Sequence, residues 1–446
     1  MLSSLSDNST AKTSGHTLFN SKHACDKERI FAQYSSMPNK LHHLLTPFTA
    51  LKNRLFARLY FAQAISLLGD SFTWIGIALL AFEFGGDHSA RILATALTLR
   101  VTAFIIFGSY AGVIADRYDR KKIMIITHLS RMVIVGSFPF VTAEWQLYAL
   151  IFLLNIFNSF FTPAYRAAIP QLISKKGEFA NAIVLSNATW QLLGVLGPGL
   201  GGAMAAFMGV RQIFFFDAVS FVLAAVLILL IPGTLLVKGE HSIKSASIIT
   251  FFKDILMGTR LLFKKRPIRF SLFMELVAAT AGGQILVNTI GHIKGNLHLT
   301  DVHYGWIMAA FGIGATIAAF TTNTLDRSKN KTRVLILGAL MIALSVTMAN
   351  TVPYAGMVIL WAIAGLGLSY TDMPSQILIA ENTDFAEQGR VYGAHFAWSH
   401  VWWAIGYIFA GFTGTHFGNY DFMIGGLLSL ILFSGLGIYE FRSRRA

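Results

Sequence analysis

Apolar residues in this chain come in long unbroken blocks. They show neither the alternation of a half-buried strand nor the three-four spacing of a surface helix. The blocks fall at about 58–82, 92–112, 123–142, 146–166, 181–206 and 213–232, and then at about 270–292, 303–323, 333–350, 355–378, 391–415 and 421–440. A helix needs about 20 apolar residues to cross the hydrocarbon of a bilayer, so the pattern predicts an all-α membrane protein with twelve transmembrane helices. Ahead of the first block, residues 1–50 are polar and lack the short apolar core of a signal peptide. Between the two sets, 233–269 is the most charged interior stretch and ends in Lys264, Lys265 and Arg266. It is expected to be a linker with an amphipathic segment on the membrane surface.

Basic residues sort by side. With the N-terminus in the cytoplasm, 31 Lys and Arg fall on the cytoplasmic side, three (Arg91, Arg211, Lys294) fall outside, and Arg100 and Arg131 remain within spans. Lys and Arg concentrate in cytoplasmic loops, so both termini are expected in the cytoplasm of a multi-pass plasma (inner) membrane protein. The two sets also repeat. Counting from Leu55 and Ile268, the pairs Asp116-Arg117 and Asp326-Arg327 lie 61 and 58 residues in, each at the exit of the second span of its half. The expected organisation is a tail at 1–54, a six-helix bundle at 55–232, a linker at 233–267, and a second six-helix bundle with a short basic tail at 268–446. Paired six-helix halves with parallel topology are a transporter pattern, with substrate held between the halves near mid-membrane.

Composition narrows the classes further. Mean hydropathy is +0.57, 54% of residues are hydrophobic and 13% are charged, too few charges to cover a soluble protein of this length. The net charge of +14 is explained by topology rather than by nucleic-acid binding, which needs basic and aromatic residues interleaved on one soluble face. The lone Cys25 excludes an intramolecular disulfide. No phosphate-binding G-x-x-x-x-G-K-[ST] loop, nucleophile elbow or zinc-protease motif is present. The chain is therefore expected not to be an enzyme, to need no cofactor, and to draw on an ion gradient.

The sharpest motif is Gly112-Val-Ile-Ala-Asp116-Arg117-Tyr-Asp119-Arg120-Lys121-Lys122. It resembles the G-x-x-x-D-R-x-G-R-K/R loop between helices 2 and 3 of the major facilitator superfamily. The acidic Asp119 in place of the second Gly resembles the branch of enterobactin-type siderophore exporters and macrolide-type efflux proteins. The resemblance covers about 55–440 and implies the major facilitator fold, two pseudo-symmetric bundles working by alternating access. A carboxylate can face the free N–H groups at a helix start, and Gly389-Arg390-Val391 is the candidate in the other half. The resemblance implies that Asp116 latches the cytoplasmic side there, with Arg117 and Arg120 on acids or lipid headgroups. The alternative is that the basic residues only fix topology. Gly197-Pro198-Gly199-Leu200-Gly201-Gly202 resembles the core of the superfamily's antiporter motif. Gly197, Pro198, Gly201 and Gly202 give a small-residue face and a kink suited to a hinge, or to ordinary close packing. The helix-4 Arg of many proton-coupled members is missing; Asn155 and Asn158 stand in that span.

Ionisable residues within a span are functional candidates. Asp70 is central in the first span and Arg100 is near the middle of the second, at depths differing by about 3 Å at 1.5 Å per residue. They are expected to pair or to share a water network, either as a coupling or substrate site or as a static bridge. Glu275 and Asp372 are further coupling or substrate candidates. The resemblance implies that helices 1, 4, 7 and 10 line the cavity, so Asn155, Asn158, Gln284 and Asn288 face the same path or else bond between helices. Arg131 is expected to partner the 2–3 loop or to snorkel. His395 and His400 are expected to make structural hydrogen bonds, with proton relay as the alternative. His292, His298, His303 and Asp301 would collect a divalent cation only if they converged. The expected function is a proton-coupled exporter of a small amphipathic molecule, drug-like or siderophore-like, acting as a monomer with protons and membrane lipids as partners. The alternatives are a nickel- or cobalt-type effluxer and a non-transporting receptor or assembly partner.

Overall fold

A computed structural model describes residues 46–173, 176–235, 248–325 and 331–442. The tail with Cys25 and the Asp326-Arg327 pair lie outside the described residues. Among those described there are thirteen α-helices and no strand. Six form the first bundle: α1 (Arg54–Gly85), α2 (Ser89–Arg117), α3 (Arg120–Ser137), α4 (Glu144–Leu172), α5 (Lys176–Met208) and α6 (Ile213–Leu229). Then comes α7 (Ile248–Lys264), and the second bundle holds α8 (Arg266–Gly291), α9 (Asp301–Leu325), α10 (Lys331–Met348), α11 (Tyr354–Asn382), α12 (Phe385–His416) and α13 (Asp421–Arg442). Among the described residues, seven stretches are long and apolar enough on their own to cross a membrane, one of them running from α1 into α2 as far as Gly108.

Several helices overrun the apolar blocks because polar residues cap and continue them. Asn53 starts α1 by accepting from the Leu55 and Phe56 amides at 3.0 and 3.2 Å, and it donates to the Leu172 carbonyl at 2.8 Å. This satisfies helix-start donors that have no intrahelical partner. Asp119 does the same for α3, accepting from Lys121 N and, across the bundle, from Leu235 N, both at 3.0 Å. An acid in the usual glycine position is thus a helix cap that also ties the loop to the end of the first bundle. Its neighbour Arg120 is buried and donates to the Ala115 and Ala167 carbonyls at 3.1 and 3.0 Å. It faces backbone oxygens rather than only acids or headgroups.

The packing repeats between bundles. Helices α1–α5, α2–α4 and α3–α6 pack in the first bundle as α8–α12, α9–α11 and α10–α13 pack in the second. Across the bundles the main contacts are α5 with α9 and α2 with α12. The start of α1 at Arg54 and the end of α13 at Arg442 lie on one face, here the terminal face; the turns after α1, α3, α5, α8, α10 and α12 form the distal face. On the distal face each basic residue has an acid beside it: Arg91–Glu144 at 3.6 Å, Arg211–Glu83 at 2.7 Å and Lys294–Asp301 at 2.5 Å.

The amphipathic α7 does not stand apart as a loose linker. Leu262 is buried, Gly258 sits under the Arg390 carbonyl, and Thr259 accepts from Trp398 Nε1 at 3.3 Å. Lys265 donates to the Asn382 carbonyl at 2.6 Å. Meanwhile Leu256 and Met257 are exposed, which suits a helix lying at a bilayer surface.

Candidate functional site

The two bundles touch along the distal half and separate toward the terminal face. On α2, residues 90, 94, 97, 101, 104, 108 and 112 share one face, by the three-four spacing of a helix. Its distal part is filled: Gly411 packs on Ala94, Gly414 packs on Ala90, and the Phe104 and His400 rings lie 6.5 Å apart. Its terminal part is open at the described glycines. A Cβ placed on Gly108, on Gly112 or on Gly393 of α12 would find no atom within 4 Å. The second distal contact is backbone on backbone, with Gly202 of α5 against Gly305 and the Asp301 carbonyl of α9. The Asp116 side chain lies outside the described part of α2, so its latch rests on the resemblance alone.

The glycines of the second motif are points of close approach. A Cβ on Gly197 would collide with Ser71 of α1, one on Gly201 would come to 3.2 Å of Ile75, and Gly202 is the contact with the second bundle. The helix α5 continues without a break through Pro198.

The first-bundle charge site differs from the expected Asp70–Arg100 pair. Asp70 is held by Arg131 of α3, with Oδ2 3.7 Å from Nη1. Arg131 is 2% exposed, donates to Asn158 Oδ1 at 2.6 Å and His128 Nδ1 at 2.8 Å, and lies over the rings of Phe221 and Phe161 at 4.3 and 4.8 Å. It neither partners the 2–3 loop nor snorkels. The reason is helix rotation. Arg100 sits on the α2 face that turns toward α12, and its guanidinium lies 4.4 Å over the Trp74 ring. Matching depth therefore did not bring Arg100 into contact with Asp70, although its charge still acts on that carboxylate.

Asp217 of α6 belongs to the same site and was not expected. It is fully buried and accepts from Thr73 Oγ1 at 2.5 Å and Ser220 Oγ at 2.9 Å. Gly69, next to Asp70, makes room for it, since a Cβ there would collide with the Asp217 carboxylate and the Ser220 hydroxyl. The signal was present as an acid inside the run IFFFDAVSF. It lies four residues into its helix, where an acid is easily taken for a headgroup-level residue. Asn155, by contrast, turns into the bundle, is fully buried, and donates to the Ile151 carbonyl of its own helix at 2.7 Å.

In the second bundle, Glu275 Oε1 of α8 meets His395 Nε2 of α12 at 2.8 Å, with both residues buried. Asp372 of α11 is exposed and lies within electrostatic reach of both. Gln284 and Asn288 turn away from any aqueous path. Asn288 Nδ2 donates to Gln284 Oε1 at 2.6 Å and Thr413 Oγ1 donates to the same oxygen at 3.0 Å. The distal histidines do not converge. His292 bonds Asn296 at 3.3 Å and His303 bonds Thr300 at 2.8 Å, and among the described residues no three His, Cys, Asp or Glu are grouped to hold a metal.

Two repeated bundles, joined at one face, parted at the other and carrying ion pairs at mid-helix, define a membrane transporter of the major facilitator fold. The architecture matches that of the nucleoside transporter NupG (17% identity, 87% of this chain and 99% of that one, TM-score 0.67) and of a bacterial homologue of the human lysosomal transporter Spinster (12% identity, 88% and 96%, TM-score 0.68). The chain belongs to the transmembrane secretion effector family of these transporters, whose family model matches residues 45–377. It is similar to the MFS-type transporter YfiS of Bacillus subtilis, 26% identical over 75% of this chain and 80% of that one. It is also similar to macrolide efflux protein A of Streptococcus pyogenes (21%, covering 84% and 94%) and to the enterobactin exporter EntS of Shigella boydii (24%, covering 84% and 89%). It is a membrane transporter and not an enzyme.

Proposed function

We propose that this transporter exports a small amphipathic molecule across the cytoplasmic membrane in exchange for protons, by alternating access, with both termini in the cytoplasm. The observation that carries this reading is the Asp70–Arg131 ion pair at 3.7 Å, held well inside the first bundle with Asp70 midway along α1. In this reading the terminal face is cytoplasmic, consistent with the excess of Lys and Arg on it. The open cleft then admits substrate from the cytoplasm while the Gly202–Gly305 and Ala94–Gly411 contacts seal the outer side.

A proton taken up by Asp70 would cancel its charge and release Arg131 to Asn158 and His128. The two states of this pair would thus have different local packing, and a proton binds only one of them. That difference in affinity is what lets a gradient drive a conformational change. Asp116 and Gly112 would close the cytoplasmic side in the opposite state, and Gly197, Pro198, Gly201 and Gly202 would form the pivot. Glu275, His395 and Asp372 form a second titratable group on the same path. The efflux relatives support the export direction. Among the described residues no distal cluster supports the metal alternative.

The test is transport in inside-out vesicles under an imposed pH gradient, with a panel of dyes, siderophores, Ni²⁺ and Co²⁺. Proton release on adding one organic class, abolished in Asp70→Asn at equal protein level, is the expected result. Full gradient-driven transport by Asp70→Asn would overturn the role given to Asp70. Metal-dependent release would replace the organic substrate with a cation.

A further inference from the structure

Arg100 holds its charge in the middle of the fold, and the protein gives it almost nothing to bind. Among the described residues it makes no hydrogen bond and no ion pair, and its contact is the face of Trp74 at 4.4 Å. Its guanidinium nitrogens are not sealed off: Arg100 is half-buried and none of its atoms is among the buried, unpartnered ones. A cation at this depth is expensive, and one aromatic face offsets only part of that cost. The nearby carboxylates are engaged elsewhere. Asp70 is held by Arg131, and Asp217 accepts from Thr73 and Ser220. The unmet charge between the bundles at this depth is therefore positive.

The surroundings are flat and apolar. On α12, Phe396, His400 and Tyr407 share the face toward α2, while the neighbouring Trp403 ring packs on Gly282 of α8. The Phe396 and His400 rings are 3.9 Å apart, Trp403 and Tyr407 are 5.5 Å apart, and Phe104 lies 6.5 Å from His400. The charge of Arg100 reaches both Tyr407 and His400. A guanidinium presents a planar fork of donors matched to carboxylate, sulfonate or paired phenolate oxygens, and the rings suit an aromatic body. The exposed carboxylate on the path, Asp372, is roughly 10 Å nearer the terminal face, counting 1.5 Å per residue from the distal ends of α2 and α11. It is too far to share one headgroup with Arg100.

We propose that Arg100 is the docking point for the acidic group of the substrate, and that the transported compound is an organic anion with a flat aromatic body. The proposal deepens the exporter reading and rests on it for the direction of transport, but it does not depend on Asp70 as the coupling group.

The experiment uses three probes that share one ring system: 2-naphthoate, the neutral 2-naphthalenemethanol and the cationic 2-naphthylmethylamine. Each is titrated by calorimetry into the full chain in nanodiscs, with empty nanodiscs subtracted. The expected result is naphthoate binding at least about tenfold tighter than either other probe, the scale of a charge-assisted hydrogen-bonded pair. Arg100→Gln should weaken it by about the same factor, while Arg100→Lys retains part of the preference. Monodispersity on gel filtration confirms that each variant is folded. Tighter binding of the amine, no naphthoate binding by the wild-type chain, or an unchanged naphthoate affinity in folded Arg100→Gln would each overturn the proposal. Asp70→Asn separates the two readings. Retained naphthoate binding with lost proton-driven transport supports both. Retained binding with intact transport removes the coupling role and leaves the anion site standing.

Discussion

Gly202 of α5 stands so close to Gly305 of α9 that a methyl carbon on Gly202 would come within 2.5 Å of the Gly305 Cα. The residue after the motif's small-residue pair thus belongs to the seam between bundles, while Gly197 and Gly201 belong to the packing within the first. Gly202→Val should pry the distal face apart. Overpacking of this kind costs about 1–3 kcal/mol, enough to shift a two-state balance by about 5- to 150-fold. Spin labels at His88→Cys and His416→Cys, in a Cys25→Ser background, would report a longer distal distance in the variant. An unchanged distance distribution would show that this contact does not hold the seam shut.

Arg131 should matter to stability as much as to transport. Removing one partner of a buried pair leaves the other charge unsatisfied, at a cost of about 3–5 kcal/mol. Arg131→Gln is therefore expected to lower the melting temperature of the purified protein sharply. Adding Asp70→Asn to it should recover most of the loss, because the carboxylate that Arg131 had paired is then neutral and Asp217 keeps its hydroxyl donors Thr73 and Ser220. Thermal unfolding of the two singles and the double measures the coupling, and strict additivity would mean that the pair is not energetically linked.

The Glu275–His395 contact makes a parallel case. Glu275 already has one buried oxygen, Oε2, without a partner, so losing His395 strands both. His395→Phe should destabilise by about 1–3 kcal/mol, and Glu275→Gln in the same background should relieve it. A His395→Phe protein that melts with the wild type would show that the imidazole contributes nothing there.

Asp119 predicts a smaller and local effect. Its carboxylate caps α3 and also holds the Leu235 amide, both at 3.0 Å. Asp119→Ala should cost about 0.5–2 kcal/mol, the usual range for losing an N-cap, and Asp119→Asn should retain most of it. Hydrogen exchange at the α3 start is the direct readout, and faster exchange confined to that turn is the expected signature.

Hydropathy blocks carried the helices and their grouping into two sets because each crossing must be apolar for its whole length. Charge sorting predicts a sidedness as well, and that sidedness belongs to the proposed function. What they carry poorly is rotation about each helix axis. Arg100 and Arg131 were both visible as mid-span cations, but only packing reveals that Arg100 turns toward α12 and Arg131 turns into the bundle. Asp217 was hidden for a different reason. A carboxylate four residues into a Phe-rich run looks like an edge residue until the neighbouring Gly69 is seen to bring α1 up against it. The amides show the same limit. Asn158 meets Arg131, while Asn155, three residues earlier, bonds its own helix.

The stretch joining the bundles is usually pictured as slack rope. Here its second part is fastened, since Gly258 lies under the Arg390 carbonyl, Thr259 takes the Trp398 indole, and Lys265 holds the Asn382 carbonyl. From Ile248 on, the chain is therefore a handle bolted to the second bundle. A push or pull on that handle, from lipid charge or a docking protein, arrives at the mouth of α12 without first crossing the bilayer interior.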